Sequence, residues 1–253
     1  MIKVDLNCDI GESFGNYKLN DEQILPHITS ANIACGFHAG DPFILYETVR
    51  LAKKYKISVG AHPSFPDLLG FGRREMKFTE DEVYQLVLYQ IGAIYSVCKA
   101  QNVELHHVKP HGALYNMAAK DSMLARAISK AIKAFDSNLI LYGLANSKMK
   151  DAASECNIPF ASEVFADRTY NDDGSLVSRN NSNAVFENTQ DAINQAIKIV
   201  TTQSVKTITG KTIPIQADTI CLHSDSQIAV RLASELNSEF KKRNVHILPI
   251  GVS

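Results

Sequence analysis

The sequence has almost no net charge: 26 Lys+Arg stand against 27 Asp+Glu, for a formal total of -1. A protein that grips nucleic-acid backbones or anionic membranes carries a basic excess, so both partner classes are excluded. Nor does any apolar run reach the roughly 18 residues that a bilayer span needs, because Lys, Asp or Gln interrupts the richest stretches. Cysteine is sparse. Cys8, Cys35, Cys98, Cys156 and Cys221 are odd in number and never form a Cys-x-x-Cys pair, which argues against a disulfide framework and a zinc cage. The first nine residues place Asp5 and Asp9 where a secretory leader would have a basic start and an apolar core, so a reducing cytoplasm is expected. Tryptophan, internal repeats and low-complexity tracts are also missing.

What is present is an alternation of two periods. Short β-branched runs near Lys3–Asp9, Ala31–Cys35, Ile57–Ala61, Val103–Lys109, Leu139–Leu144, Phe160–Phe165 and Thr219–Leu222 alternate with helix-period segments. Thr79 and Glu82 have capping-box spacing, and Asp41-Pro42 is a helix start in which Asp41 is as readily a cap as a ligand contact. Seven strands with helical crossovers imply an α/β protein with a parallel sheet, open or closed, and residues 1–253 are expected to form one domain. Two segments depart from the rhythm. Ala166 to Asn188 is polar and long, a candidate flap, and Val205–Thr209 with Thr212–Gln216 around Gly210-Lys211 reads as an appended β-hairpin.

Polar residues collect at the carboxyl ends of the expected strands, where α/β folds build their sites. Asp9, His38, His62, the pair Lys109 and His111, the pair Asp167 and Arg168, and His223 mark the ends of six different strands. Alternation puts Asp5, Asn7 and Asp9 on one face, His107, Lys109 and His111 on another shared face, and Glu163 with Asp167. His106 is then expected to face away from His107. His27 and His246 read as structural or surface histidines, and Cys8, Cys35 and Cys221 as small buried hydrophobes. No P-loop, Gly-x-Ser-x-Gly elbow or H-E-x-x-H pattern occurs.

The strings DLNCDIGES (5–13), ANIACGFHAGDP (31–42), GAHPSFPD (60–67) and VKPHGALYN (108–116), followed by EVFADRTY (163–170) and CLHSD (221–225), resemble the signatures of the LamB/YcsF family over essentially the whole chain. That resemblance implies a seven-stranded β/α barrel of the glycoside hydrolase/deacetylase type. It also implies the A subunit of an ATP-dependent 5-oxoprolinase, which converts 5-oxo-L-proline to L-glutamate together with partner B and C subunits. On this reading Asp9, His38, His62, His111 and Asp167 are the catalytic candidates. One histidine serves as base, Asp9 assists it, and Asn7, Lys109, Glu163, Arg168 and His223 contact the substrate. ATP is the expected co-substrate, bound with the help of partners, and the metal requirement is left open. The alternatives are a metal-dependent deacetylase with Asp9, His38 and His62 around a divalent ion, and a ligand-binding subunit without chemistry of its own.

Overall fold

The computed structural model describes residues 1–15, 17, 19, 21–179, 181–223 and 229–251, with only the backbone of His223. In chain order its strands are β1 (Ile2–Ile10), β2 (Ser30–Ala34), β3 (Ser58–His62), β4 (Leu105–Val108), β5 (Ile140–Leu144), β6 (Phe160–Phe165), β7 (Ser204–Lys206), β8 (Thr212–Pro214), β9 (Thr219–His223) and β10 (Val245–Ile247). The helices are α1 (Pro42–Tyr55), α2 (Glu80–Ala100), α3 (Gly112–Ala118), α4 (Ser122–Phe135), α5 (Lys148–Cys156), α6 (Thr189–Thr202) and α7 (Ala229–Lys242).

Seven parallel strands close on themselves in the order β1-β2-β3-β4-β5-β6-β9 and back to β1. The closing pair runs from Asp5 opposite Thr219 to Asp9 opposite His223. Below this closed ring, β10 runs parallel to the start of β1, with Ile2 opposite Val245. This tail strand was not expected, since three residues are too few to show a period. β7 and β8 form the expected hairpin, with β7 beginning at Ser204 and both strands ending sooner, at Lys206 and Pro214.

The first strand shows why the barrel forms. Val4, Leu6, Cys8 and Ile10 are buried against the outer helices, so the alternate residues Asp5, Asn7 and Asp9 are turned into the barrel. Each fully buried Leu or Ile stabilises the fold by about 1.5–3 kcal/mol, and that outer shell holds the polar interior in place. The helices start where the sequence places their caps. Asp41 Oδ1 accepts from the amides of Phe43 and Ile44 at 2.9 Å each, so Asp41 is a cap. Thr79 and Glu82 close a complete capping box on α2.

Two expectations change. His106 does not simply face away from His107. The register of β4 on β3 slips between Val59 and Gly60, which makes His106 the extra residue of a bulge. Its Nδ1 lies 3.1 Å from His107 Nδ1, and its Nε2 donates to the Ile250 carbonyl at 2.9 Å. The candidate flap, described over residues 166–179 and 181–188, is tied to the barrel. Its anchor is Tyr170, fully buried, whose hydroxyl oxygen accepts from Phe165 N–H at 2.8 Å.

Candidate functional site

The polar barrel interior is built in two levels. At the amino-terminal ends of the strands, Asp5 Oδ1 accepts from Thr29 and Ser30 hydroxyls at 2.6 and 2.7 Å, and its Oδ2 accepts from Thr219 at 2.6 Å. Burial still lifts the Asp5 pKa, with these hydroxyls opposing it. His107, stacked 4.1 Å from Tyr142, faces Asn32 Oδ1 at 2.8 Å. Only glycine fits at position 60, because a Cβ there would overlap the His107 ring.

Above this level lies a charged layer. Lys109 Nζ is 2.8 Å from Asp9 Oδ1, 3.0 Å from Glu163 Oε1, 3.2 Å from Asn7 Oδ1 and 3.0 Å from Cys221 Sγ. Burial alone would strip its proton, but Asp9, Cys221 and Glu163 outweigh burial and hold the Lys109 pKa well above its usual value. Asn7 Nδ2 donates to Glu163 Oε1 at 2.9 Å, and Asn32 Nδ2 donates to Asp9 Oδ1 at 2.8 Å. Lys109 therefore acts as an internal counter-ion for two carboxylates.

At the carboxyl ends, His38, His62 and His111 meet around Glu12. Glu12 Oε1 lies 3.0 Å from His38 Nε2, 3.5 Å from His111 Nδ1 and 3.9 Å from His62 Nε2. His62 Nε2 is 2.9 Å from His111 Nδ1 and 3.4 Å from Asp9 Oδ2. The His38 and His111 rings are parallel at 3.7 Å. Burial, then the neighbouring histidines, push the pKa of both well below the ordinary imidazole value. One ligand atom from each of Glu12, His38, His62 and His111 lies within 4.8 Å of all the others, a donor set that could hold a metal ion. The loop after β3 covers this group. Gly72, at φ +64°, passes so close that a Cβ would meet His111 Cδ2 and His38 Cβ at 2.8 Å. Asp67 and Arg74 latch that loop with an ion pair, and the Arg74 hydrogen bond holds the Asp67 pKa down to about 2.

Asp9, His62, Lys109 and His111 open into a cavity of about 850 Å³. Arg73, Lys120, Arg168 and Arg179 also line it, against the acids Glu75 and Asp121 towards its mouth. Arg168 is tied to the flap, donating to the Ala184 and Val177 carbonyls at 3.2 and 2.6 Å. Burial and then Arg179 lower its pKa to about 10. The Tyr115 hydroxyl, buried on the cavity wall, makes no well-formed hydrogen bond. Burial and then the nearby Glu163 carboxylate raise its pKa well above the usual value.

The structure thus gathers Asp9, His38, His62 and His111 as expected, with Asn7 and Glu163 beneath them. Among the described residues, those lining the cavity do not include Asp167, which heads the flap and accepts from Phe186 N–H through its carbonyl. The side chain of His223 lies outside the described residues. Glu12, Arg73, Tyr115, Lys120 and Arg179 are additional. Glu12 follows β1 by two residues in a motif already quoted, so its position after the strand was the available signal.

Residues 4–252 match the model of the LamB/YcsF family. The chain belongs to the LamB/YcsF family. It is 52% identical over 247 residues to a protein of Staphylococcus epidermidis named as the A subunit of 5-oxoprolinase, covering 97% of this chain and 98% of that one. The solved lactam utilization protein of Thermus thermophilus superposes with a TM-score of 0.92 at 41% identity, covering 98% of this chain and 99% of that chain. The catalytic domain of a peptidoglycan N-acetylglucosamine deacetylase from Eubacterium rectale shares 11% identity at a TM-score of 0.53, covering 99% of this chain and 89% of that chain. That likeness concerns the fold: the barrel is of the deacetylase type. Among the described residues, no helix is long and apolar enough to cross a membrane.

Proposed function

We propose that this chain is the A subunit of a cytoplasmic ATP-dependent 5-oxoprolinase, opening the lactam of 5-oxo-L-proline to L-glutamate together with B and C subunits. The observation that carries the reading is near-full-length identity of 52% to a 5-oxoprolinase A subunit, combined with a polar cavity of about 850 Å³ whose basic side chains suit an anionic substrate.

A lactam is a poor electrophile, and ATP can correct that. Transfer of the γ-phosphoryl group to the lactam oxygen releases ADP and leaves the ring carbon open to water. Water adds, its proton goes to the protein, the C–N bond breaks with a proton delivered to nitrogen, and a second water releases phosphate. The chain's part is water activation and charge stabilisation. His62 and His111, which line the cavity with Glu12 and His38 behind them, are placed for the water, and Asp9, 3.4 Å from His62 Nε2, is available for the proton. Lys109 fixes Asp9 from below, while Arg168 with Arg73 and Arg179 suits the carboxylate or phosphoryl group. The loosely held Tyr115 hydroxyl is available to the lactam. Asp167, the remaining catalytic candidate from the sequence, heads the flap beside Arg168, and His223 is assigned to substrate contact.

The test is reconstitution. The purified chain is mixed with B and C subunits, and glutamate release from 5-oxoproline is followed with and without ATP. Release is expected only from the complete mixture with ATP. Equal release by the chain alone would replace the proposal with a self-contained amidohydrolase.

A further inference from the structure

The second nitrogen of each rim histidine fixes what the first can do. His62 Nδ1 lies 2.7 Å from the Lys109 carbonyl, and His111 Nε2 lies 2.9 Å from the Phe71 carbonyl. A carbonyl only accepts, so each of these nitrogens carries the ring's proton. His38 Nδ1 lies 2.9 Å from Ser64 Oγ, whose own hydrogen is given to the Phe65 carbonyl at 2.9 Å, so His38 Nδ1 is the donor there too. Gln90, fully buried, fixes Ser64 in turn. Its Oε1 accepts from Ser64 N–H and its Nε2 donates to Ser64 C=O, both at 2.9 Å.

The other ring nitrogens, His38 Nε2, His62 Nε2 and His111 Nδ1, are the ones left close to Glu12. His62 Nε2 lies 2.9 Å from His111 Nδ1, and His38 Nε2 lies 3.0 Å from Glu12 Oε1. One ligand atom from each of the four residues lies within 4.8 Å of the others, close enough for one cation to gather them. A tetrahedral ion with bonds of about 2.0–2.1 Å needs ligand atoms about 3.3 Å apart. Four of the six edges among these atoms run from 2.9 to 3.9 Å and all six lie within 4.8 Å, so the group need only contract slightly around an ion.

We infer that Glu12, His38, His62 and His111 form a binding site for one divalent transition-metal ion, zinc in the first instance. Three imidazoles and one carboxylate suit zinc or its first-row neighbours and disfavour magnesium, which prefers oxygen donors. The donor set differs from the Asp9–His38–His62 arrangement considered from sequence: Glu12 and His111 enter, and Asp9 stays beside the site as a proton acceptor. Lysine, serine and glutamine residues that carry no ligand atom, Lys109 through its carbonyl, Ser64 and Gln90, set the ring tautomers.

The test reads metal binding without turnover. The full-length chain is stripped with chelator, dialysed and titrated with Zn²⁺, Co²⁺ and Mg²⁺, and metal content, thermal midpoint and the visible Co²⁺ spectrum are recorded. One equivalent of Zn²⁺, a raised midpoint and tetrahedral Co²⁺ bands are expected, with no comparable response to Mg²⁺. Glu12→Gln should abolish stoichiometric binding. Ser64→Ala, which keeps every ligand but frees the His38 ring, should weaken Zn²⁺ affinity by about 10–100-fold. Absence of Zn²⁺ uptake by the folded chain would overturn the inference, as would uptake unchanged in both variants. Because turnover is not measured, the site stands or falls separately from the 5-oxoprolinase reading, which reconstitution tests.

Discussion

The two levels of the barrel interior are both rich in polar side chains, yet they are satisfied in opposite ways. Around Asp5 every contact pairs a hydroxyl donor with a carboxylate acceptor, and the network closes on itself. Around Glu12 one carboxylate and three imidazoles bring potential ligand atoms within 4.8 Å of one another. A closed polar network stabilises a fold, whereas a cluster of potential ligand atoms suits a bound ion. Buried polarity by itself therefore did not mark the site; the kind of partner each group meets did.

Substitutions can break or sharpen this contrast. The largest effect is expected at the upper level. Asp9→Asn keeps the size of the side chain and should lower turnover of the reconstituted complex by about 10²–10⁴ while circular dichroism reports a folded barrel. Near-normal turnover would remove Asp9 from proton transfer. At the lower level the effect should fall on stability. Thr219 donates to Asp5 and accepts from Asn7 Nδ2 at 2.7 Å. Thr219→Val leaves both groups short of a partner and should cost about 1–3 kcal/mol in urea unfolding, with zinc stoichiometry unchanged. A loss of zinc binding equal to that in Glu12→Gln would mean that the two levels are not separable. The smallest effect is expected at Tyr115, whose hydroxyl has no well-formed hydrogen bond to lose. Tyr115→Phe should hold or slightly raise the thermal midpoint while raising KM for 5-oxoproline several-fold; an unchanged KM would leave the hydroxyl without a substrate role.

Much of this was legible before the fold was known, for definite reasons. The inward face of β1 follows from strict alternation of Asp5, Asn7 and Asp9 with Val4, Leu6 and Cys8, and the convergence of His38, His62 and His111 follows from strand ends sharing one rim. Glu12 was harder to read because it lies past the strand, where alternation no longer says which way a side chain points. Arg73, Lys120 and Arg179 reach the cavity from three separate loops whose approach is set by tertiary packing. The tautomer locks were invisible altogether, since two of the three partners are backbone carbonyls, and a carbonyl has no residue type. The His106 bulge was missed for a related reason: a register slip leaves no trace in the hydrophobic pattern.

The tail strand has a practical consequence. Because Ile2 sits opposite Val245 in a parallel pair, the first strand's start and the last strand lie side by side beneath the barrel, at the end away from Asp9, His62 and His111. A tether placed at the start of β1 would leave the cavity facing outward. The chain could then be anchored to a sensor surface by that end of the barrel and offered soluble subunits or substrate from the other.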